Sequence, residues 1–268
     1  MRTITELINL KERCAIVTGG AGHIGLVVCE TLMELGATVS VLDINKTACE
    51  ERCFELNKRN YNAAAIPMPV DLSDEKETTR SILNAIEKMG GIDILVHSAA
   101  FVGTTKYPGW AVPFEHQTVK AWDEAMRVNL TSAFIMVQVA KSYLQESKGA
   151  SIIFIGSIYG AVGPDNRLYE GTNMVTPAAY AASKGGLAQL SRYLGTILAP
   201  KIRVNTIISG GVWRKQPESF HNRYREKTPM RRMAVEEDLK GAVAYLASDL
   251  SAYVTGTNLI VDGGWTAL

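Results

Sequence analysis

Residues 14–25 read CAIVTGGAGHIG, an apolar run followed at once by a glycine-rich segment. The run 14–18 has the length and β-branched content of a buried strand, and a helical pattern begins after the glycines. Gly20, Gly22 and Gly25 have the spacing G-x-G-x-x-G. Glycine lets the backbone turn tightly and approach a pyrophosphate, which a helix N-terminus binds through free N–H groups and its dipole. The stretch therefore predicts a dinucleotide-binding strand–turn–helix unit at the start of an α/β domain.

The next predicted strand, TVSVLD at 38–43, ends in Asp43, 18 residues beyond Gly25. A carboxylate there can accept hydrogen bonds from both hydroxyls of a ribose and repels a 2′-phosphate, which favours NAD over NADP. The alternative is a strand–turn–helix unit that binds no nucleotide, in which Asp43 caps a loop. Asp71, at the end of the third predicted strand, either binds an adenine amino group or starts the next helix together with Ser73.

Short strands and longer helices alternate along the rest of the chain. Further strands are predicted at 64–71, 92–98, 151–157, 202–208 and 258–264, and helices at 23–35, 45–59, 73–89, 118–145, 178–199 and 235–247. Apolar strands that each precede a helix indicate a parallel sheet covered on both faces. Right-handed crossovers favour the doubly wound form. We expect one doubly wound Rossmann-type α/β domain over 1–268, with about seven parallel strands and helices on both faces.

The composition excludes several classes of protein. The 268 residues are 47% hydrophobic and 21% charged, which is enough for a large buried core. The net charge of +1 lacks the excess of basic residues that is typical of nucleic-acid-binding proteins. No window of 18 residues is both apolar and uncharged, and the charged N-terminal segment does not fit a signal peptide. The four cysteines fit reduced thiols better than disulfides or a metal site. We expect a cytoplasmic protein that binds no metal, nucleic acid or membrane.

Four polar side chains occupy places where chemistry could occur. Tyr180 and Lys184 lie one turn apart on a predicted helix, and an ammonium beside a phenol lowers its pKa, so the tyrosine could exchange a proton with an alcohol or carbonyl. A packed tyrosine and a solvated lysine are the alternative. Ser157 ends a strand, with its hydroxyl at the carboxyl edge of the sheet. Asn129 lies on an apolar helical stripe and needs buried partners, although capping a bend would also explain it.

Taken in order, these features resemble the short-chain dehydrogenase/reductase family over essentially the whole chain. The matching pieces are the glycine-rich turn, Asp71, the alanine of HSAA (97–100), Asn129, Ser157, Tyr180 with Lys184, RVN (203–205), GGV (210–212) and TGTNLIVDGG (255–264). The resemblance implies a catalytic tetrad. Tyr180 would be the acid/base, Ser157 would hold the reacting oxygen, and Lys184 would bind the nicotinamide ribose and lower the pKa of the tyrosine. Asn129 would position a water that relays the proton.

The same resemblance implies a set of cofactor contacts at the carboxyl edge of the sheet. They are Gly19, Gly22, His23, Ile24, Gly25, Asp43, Asp71, Leu72, Ser98, Ala99, Tyr180, Lys184, Gly210 and Val212. The sequence departs from the compact members of the family at four places. His23 replaces a glycine, His97 and Ala100 replace the asparagine and glycine of the usual motif, and Ser209 replaces a proline. We interpret both histidines as packing or cofactor-wall residues.

The segment 158–177 is a predicted substrate insert, because 23 residues separate Ser157 from Tyr180, more than is usual in the family. Its polar side chains suit a polyhydroxylated substrate better than an acyl chain. The alternative is that the segment is a surface loop with no role in substrate binding, or a subunit contact. The insert also resembles the bacterial oxidoreductases of flagellin modification and legionaminic acid pathways, through its SIYG…PD…YEGT…P…Y pattern.

The segment 211–232 is a predicted lid, with seven Lys or Arg against two acids between 213 and 232. Arginines there suit a phosphate or carboxylate on the substrate, while a solvated basic helix or an oligomer contact explains them equally well. The candidate substrate contacts of the insert and lid are Tyr159, Asn166, Arg167, Tyr169, Arg223 and Arg225.

These observations together predict an NAD-dependent oxidoreductase that interconverts a secondary alcohol and a ketone on a sugar-like substrate, anionic if the lid arginines bind it. A 3-oxoacyl thioester reductase is one alternative, which Asp43 and the polar insert disfavour. A nicotinamide-binding regulatory protein without turnover is another. The resemblance also implies a homotetramer, or a homodimer, built through the helices at 118–145 and 178–199 and the C-terminal strand.

Overall fold

The computed structural model describes residues 1–59, 61–102 and 105–268. Within them, seven strands form one parallel sheet in the order β3-β2-β1-β4-β5-β6-β7. The strands are β1 Cys14–Thr18, β2 Thr38–Asp43, β3 Ala65–Pro69, β4 Ile94–His97, β5 Ala150–Ile155, β6 Ile202–Ser209 and β7 Asn258–Val261. The predicted doubly wound sheet is confirmed, and the strand order reverses direction between β1 and β4.

Helices cover both faces of the sheet. They are α1 Ile4–Ile8, α2 His23–Glu34, α3 Lys46–Asn57, α4 Glu75–Met89, α5 Val119–Met126, α6 Ser132–Glu146, α7 Ala178–Ile197, α8 Glu218–Lys227 and α9 Lys240–Ala247. The continuous helix predicted at 118–145 is wrong in one respect, because a π-helical turn at Arg127–Thr131 separates α5 from α6. The short helix α1, closed by a capping box between Thr3 and Glu6, had not been predicted.

The core has two layers because successive strand residues point to opposite faces. Val17 of β1 packs with α2 and α9 on one face, and its neighbour Ile16 packs with α4 and α6 on the other. The cysteines at positions 29, 49 and 53 are buried free thiols in the first layer. In the described part of the chain, no helix has the length and hydropathy needed to cross a membrane.

The carboxyl ends of β1, β4, β5 and β6 meet at one edge of the sheet, where the strand order reverses. Ligands of doubly wound sheets bind in the crevice outside such a point. The glycine-rich turn follows β1 there, and the predicted insert and lid follow β5 and β6 at the same edge. The description of 1–268 as one domain with an insert and a lid stays a prediction.

Candidate active site

The glycine-rich turn forms a cradle that side chains would fill. Gly19 has a φ of +63°, and a Cβ there would lie 2.8 Å from the Cα of Ala99. A Cβ on Gly25 would overlap the carbonyl oxygen of Gly19. Among the described residues, no side chain caps the N-terminus of α2 at Gly22. The close backbone approach and the uncapped N–H groups fit the pyrophosphate of a dinucleotide.

Asp43 lies beside this turn at the end of β2. Its Oδ2 accepts a hydrogen bond from the backbone N–H of Ala21 at 3.1 Å, and its Oδ1 accepts one from Asn45 at 3.1 Å. A carboxylate has about four lone-pair sites, so both oxygens keep acceptor capacity for ribose hydroxyls. Asp43 thus braces the turn and also presents a negative charge beside it.

The other predicted cofactor contacts lie around the same edge. Asp71 accepts a hydrogen bond from Ser73 N at 2.9 Å, and Asp74 rather than Asp71 caps α4. The adenine contact of Asp71 stays a prediction. The backbone N–H groups of Ser98 and Ala99 donate to Thr18 Oγ1 at 3.2 and 3.3 Å. The remaining members of the set are placed as follows: His23 and Ile24 start α2, Leu72 is buried before α4, Gly210 follows β6, and Val212 forms an isolated bridge with Ala234.

Tyr180 and Lys184 lie one turn apart on α7, as predicted; Lys184 is buried and Tyr180 is partly buried. Lys184 Nζ donates to the carbonyl of Ile155 at 2.8 Å and lies 5.7 Å from the centroid of the Tyr180 ring. Burial lowers the pKa of Lys184 to about 8, so its ammonium persists at neutral pH. Burial also raises the pKa of Tyr180, against the lowering expected from the lysine. A hydrogen bond from Ser157 and the charge of Arg214 act on the pKa of Tyr180 in the lowering direction.

Asn129 is completely buried in the π-helical turn and has the partners that its amide needs. Its Nδ2 donates to Ser183 Oγ at 2.9 Å, and its Oδ1 accepts from the backbone N–H of Phe101 at 2.7 Å. Ser183 Oγ in turn donates to the carbonyl of Tyr180 at 2.9 Å. Asn129 therefore ties its helix to the one that carries the tyrosine, and its water-positioning role stays a prediction.

His97 joins the glycine-rich turn to the helix of Asn129. Thr18 Oγ1 accepts two backbone N–H groups, so its own proton is directed to His97 Nδ1 at 2.9 Å. The Nε2–H of the same ring then donates to the carbonyl of Asn129 at 3.2 Å. Burial and the charge of Lys184 lower the pKa of His97 to about 3, so the ring is neutral. His97 therefore links the end of β1 to the π-helical turn that carries Asn129.

This buried histidine predicts a loss of stability in acid. The unfolded chain binds the proton near pH 6.5 and the folded chain only near pH 3, so stability falls as the pH drops through that window. At pH 5 the difference is about 2 kcal/mol of unfolding free energy. Urea denaturation at pH 7 and pH 5 should show a smaller acid loss in His97→Asn than in the wild type. The exposed-histidine control His116→Asn should behave as wild type, and equal losses in all three proteins would contradict the assignment.

The insert places a chain of hydroxyl groups near Tyr180. Tyr159 and Tyr169 share a hydrogen bond between their hydroxyl oxygens at 2.7 Å, and Thr176 Oγ1 donates to Tyr169 at 2.7 Å. Burial raises the pKa of both tyrosines. The short turn that carries Tyr159 packs against α7, because a Cβ on Gly160 would lie 2.6 Å from the carbonyl carbon of Lys184. The site therefore has a wall of neutral hydroxyl groups.

Most lid cations have hydrogen-bond or ion-pair partners within the chain. Arg223 donates to the carbonyls of Leu168 at 3.3 Å and Glu170 at 2.6 Å, which fastens α8 to the insert. Other pairs are Lys227 with Asp165, Arg225 with the carbonyl of Arg231, Arg231 with the carbonyl of Glu226, Arg232 with Asp238, and Arg214 with Glu236. Two predicted substrate contacts, Arg223 and Arg225, thus have backbone carbonyls as partners.

Two further candidates in the insert are exposed, and their substrate role stays a prediction. Asn166 begins a short 3₁₀ turn and is exposed, and the Arg167 side chain is 80% exposed and pairs with Asp165. Conversely, Arg214 carries a charge that influences Tyr180, although the sequence marked it only as one of seven basic residues. Its position two residues after the GGV segment was the available signal.

A doubly wound sheet with a glycine-rich turn and a Tyr–Lys pair at one edge defines the class of dinucleotide-dependent oxidoreductases. A family model described as "Enoyl-(Acyl carrier protein) reductase" matches residues 19–266. The chain belongs to the short-chain dehydrogenase/reductase family.

Several relatives match over nearly their whole length. Sorbose reductase sou1 of Schizosaccharomyces pombe is 29% identical, covering 98% of this chain and 99% of the relative. "Probable galactose dehydrogenase GalD" of Rhizobium meliloti is 30% identical over 97% of each chain. Post-translational flagellin modification protein A of Campylobacter coli is 27% identical over 96% of this chain and 99% of the relative, in keeping with the predicted resemblance.

A solved structure shows the same fold. NADPH-dependent 3-quinuclidinone reductase from Rhodotorula rubra superposes with a TM-score of 0.86 and is 25% identical, covering 100% of this chain and 96% of the other. Enzymes of this family use a nicotinamide cofactor, NAD or NADP, and act on a CH–OH group.

Proposed function

We propose that the protein is an NAD-dependent oxidoreductase that interconverts a secondary alcohol and a ketone on a neutral sugar or polyol. The observation that carries this proposal is the meeting of the Tyr180–Lys184 pair with the hydroxyl wall of Tyr159 and Tyr169 at one sheet edge. The pair supplies proton chemistry, and the hydroxyl wall suits a substrate with several hydroxyl groups.

Each member of the proposed tetrad has a role that its surroundings support. Tyr180 takes the proton from the substrate hydroxyl or returns it to the carbonyl, and Ser157 holds the reacting oxygen. The buried ammonium of Lys184 stabilises the phenolate, and Asn129 fixes α7 in place through Ser183. A bound nicotinamide supplies the hydride chemistry. The glycine-rich turn holds the cofactor's pyrophosphate at the N-terminus of α2.

The choice of a neutral substrate over an anionic one rests on the lid. The two lid arginines predicted to contact the substrate, Arg223 and Arg225, hydrogen-bond backbone carbonyls of the chain instead. Two relatives are named for sorbose and galactose, both neutral sugars. The description of the family model names an acyl substrate, but the polar insert argues against an acyl chain.

NADH formation should be measured with NAD and three sets of substrates, with Tyr180→Phe as the blank. The sets are neutral sugars and polyols, sugar phosphates with nucleotide sugars, and 3-hydroxyacyl thioesters. Turnover mainly in the first set supports the proposal. Turnover confined to the second or third set overturns the substrate class. NADH binding without turnover in any set would favour a regulatory protein.

Asp43 predicts the cofactor preference. Replacement by Asn removes the charge that repels a 2′-phosphate while keeping an oxygen for the N–H of Ala21. The ratio of kcat/KM for NAD to that for NADP should fall about tenfold or more, because a charge-assisted contact is lost. Asp123→Asn, an exposed position on α5, is the control. An unchanged ratio in Asp43→Asn would contradict the role of the carboxylate at the ribose.

We also propose a cytoplasmic homotetramer, with a homodimer as the smaller assembly. Exposed apolar side chains on the central helices support this, including Trp122 of α5, Phe134 and Tyr143 of α6, and Tyr193 and Ile197 of α7. Apolar patches of this kind mark interaction surfaces. Light scattering during size-exclusion chromatography tests it, and a monomer would contradict it.

A further inference from the structure

Three side chains from different elements meet between the glycine-rich turn and the lid. Glu236 Oε1 lies 3.7 Å from His23 Nδ1 and 3.3 Å from Arg214 Nε. His23 is the first residue of α2, Arg214 begins the charged part of the lid, and Glu236 starts the 3₁₀ turn before α9. We call these three residues the clasp. It bridges the edge of the sheet from the cofactor turn to the lid.

The backbone holds Arg214 at this place. The N–H of Arg214 donates to Gln216 Oε1 at 2.7 Å, and Gln216 Nε2 donates to the carbonyl of Val212 at 2.9 Å. The preceding residue, Trp213, donates its N–H to the carbonyl of Ala234 at 2.8 Å. The guanidinium is therefore carried on an anchored segment. Its side chain is about one-third exposed, at 32%, so it remains accessible to a ligand.

A cation beside the glycine-rich turn would strengthen the binding of a pyrophosphate. A pyrophosphate carries two negative charges, while residues 18–25 contain no Lys or Arg. Helix N–H groups supply only partial positive charge. Arg214 is tied through Glu236 to His23 at this turn, and its charge also influences Tyr180 at the other end of the site. In the described residues the guanidinium hydrogen-bonds Glu236 through Nε, so its other N–H groups remain to bind a phosphate between the two ends of a dinucleotide.

We propose that Arg214 binds the pyrophosphate of the dinucleotide and that Glu236 holds it beside His23 at the glycine-rich turn. This inference rests on the proposed nicotinamide-dependent function. It assigns the clasp to the cofactor and not to the substrate. It also accounts for His23, which replaces the glycine of the compact members with a side chain that lies beside Glu236.

Binding of NADH, ADP-ribose and adenosine to Arg214→Gln should be measured by tryptophan fluorescence or calorimetry, without any turnover. ADP-ribose carries the pyrophosphate but no nicotinamide, and adenosine carries neither. We expect Kd for NADH and ADP-ribose to rise about 10- to 100-fold, because charge-assisted hydrogen bonds are lost. Kd for adenosine should not change. Arg214→Lys should recover part of the loss, and the affinity of wild type should fall more steeply with salt than that of Arg214→Gln.

Arg225→Gln is the matched control, since Arg225 is also a lid arginine but has the carbonyl of Arg231 as its partner. If Arg214→Gln changes the Kd of ADP-ribose no more than Arg225→Gln does, the inference is wrong. A loss for NADH alone would place Arg214 at the nicotinamide and would also overturn it. If wild-type protein binds neither NADH nor NADPH, the proposed function itself fails, which separates the two results.

Discussion

Replacing Tyr180 by Phe should lower turnover about 10²- to 10⁴-fold or more and leave the Kd for NADH nearly unchanged. The phenol lies on the same helix face as the Lys184 ammonium, with 5.7 Å between its ring centroid and Nζ, and it is the proposed acid/base. Phenylalanine keeps the ring, so the packing of α7 should persist. Single-turnover kinetics and a fluorescence titration with NADH measure the two quantities separately.

Tyr193→Phe provides the control for this substitution. Tyr193 lies on the same helix and is mostly exposed, so removal of its hydroxyl should not change turnover or binding. If Tyr180→Phe keeps more than a tenth of the wild-type rate, another group carries the proton. Loss of NADH binding in Tyr180→Phe would instead show that the tyrosine belongs to the cofactor pocket alone.

Replacing Gly25 by Ala should unfold the cofactor turn locally and abolish dinucleotide binding. The new Cβ would overlap the Gly19 carbonyl oxygen and lie 2.8 Å from the Cα of Gly20, and all of these atoms belong to backbone. Backbone cannot rotate away as a side chain can, so overpacking here should cost about 3 kcal/mol of unfolding free energy. Urea denaturation and NADH titration measure the two losses.

Gly241→Ala is the matched control for Gly25→Ala. Gly241 is a helical glycine of α9, and nothing lies within 4 Å of a Cβ built on it. Alanine there should raise the unfolding free energy by about 0.5–1 kcal/mol through its better helix propensity. If Gly25→Ala and Gly241→Ala had similar effects on stability and binding, the close approach at the turn would have no energetic consequence.

The strands show how much of the secondary structure the local sequence pattern predicts. The predicted bounds of β1 and β2 match the structure, because apolar runs and glycines act over a few neighbouring residues. The helix at 118–145 shows the limit. Its apolar period continues through Asn129, yet the backbone forms a π-helical turn where the amide binds Ser183, 54 residues away in the chain.

The lid and His97 show that the local sequence pattern does not predict the partners of side chains. The sequence displays the basic excess of 213–232 but not the carbonyls of Leu168 and Glu170 that Arg223 binds. It likewise displays a histidine in place of an asparagine, but not the hydroxyl of Thr18 and the carbonyl of Asn129 on its two sides. Each of these partners comes from a distant element.

By itself, the sequence determined the doubly wound sheet, the glycine-rich turn and the Tyr180–Lys184 pair, because periodicity, glycine conformation and helical spacing are short-range properties. Only the tertiary structure decided which charges are neutralised and which face the site. In the folded chain, Arg223 hydrogen-bonds the insert and Arg214 pairs with Glu236 beside His23. His97 is neutral and hydrogen-bonds the carbonyl of Asn129. The physical reason is that hydrogen bonds and ion pairs depend on distances set by the topology of the sheet, which no local pattern in the chain records.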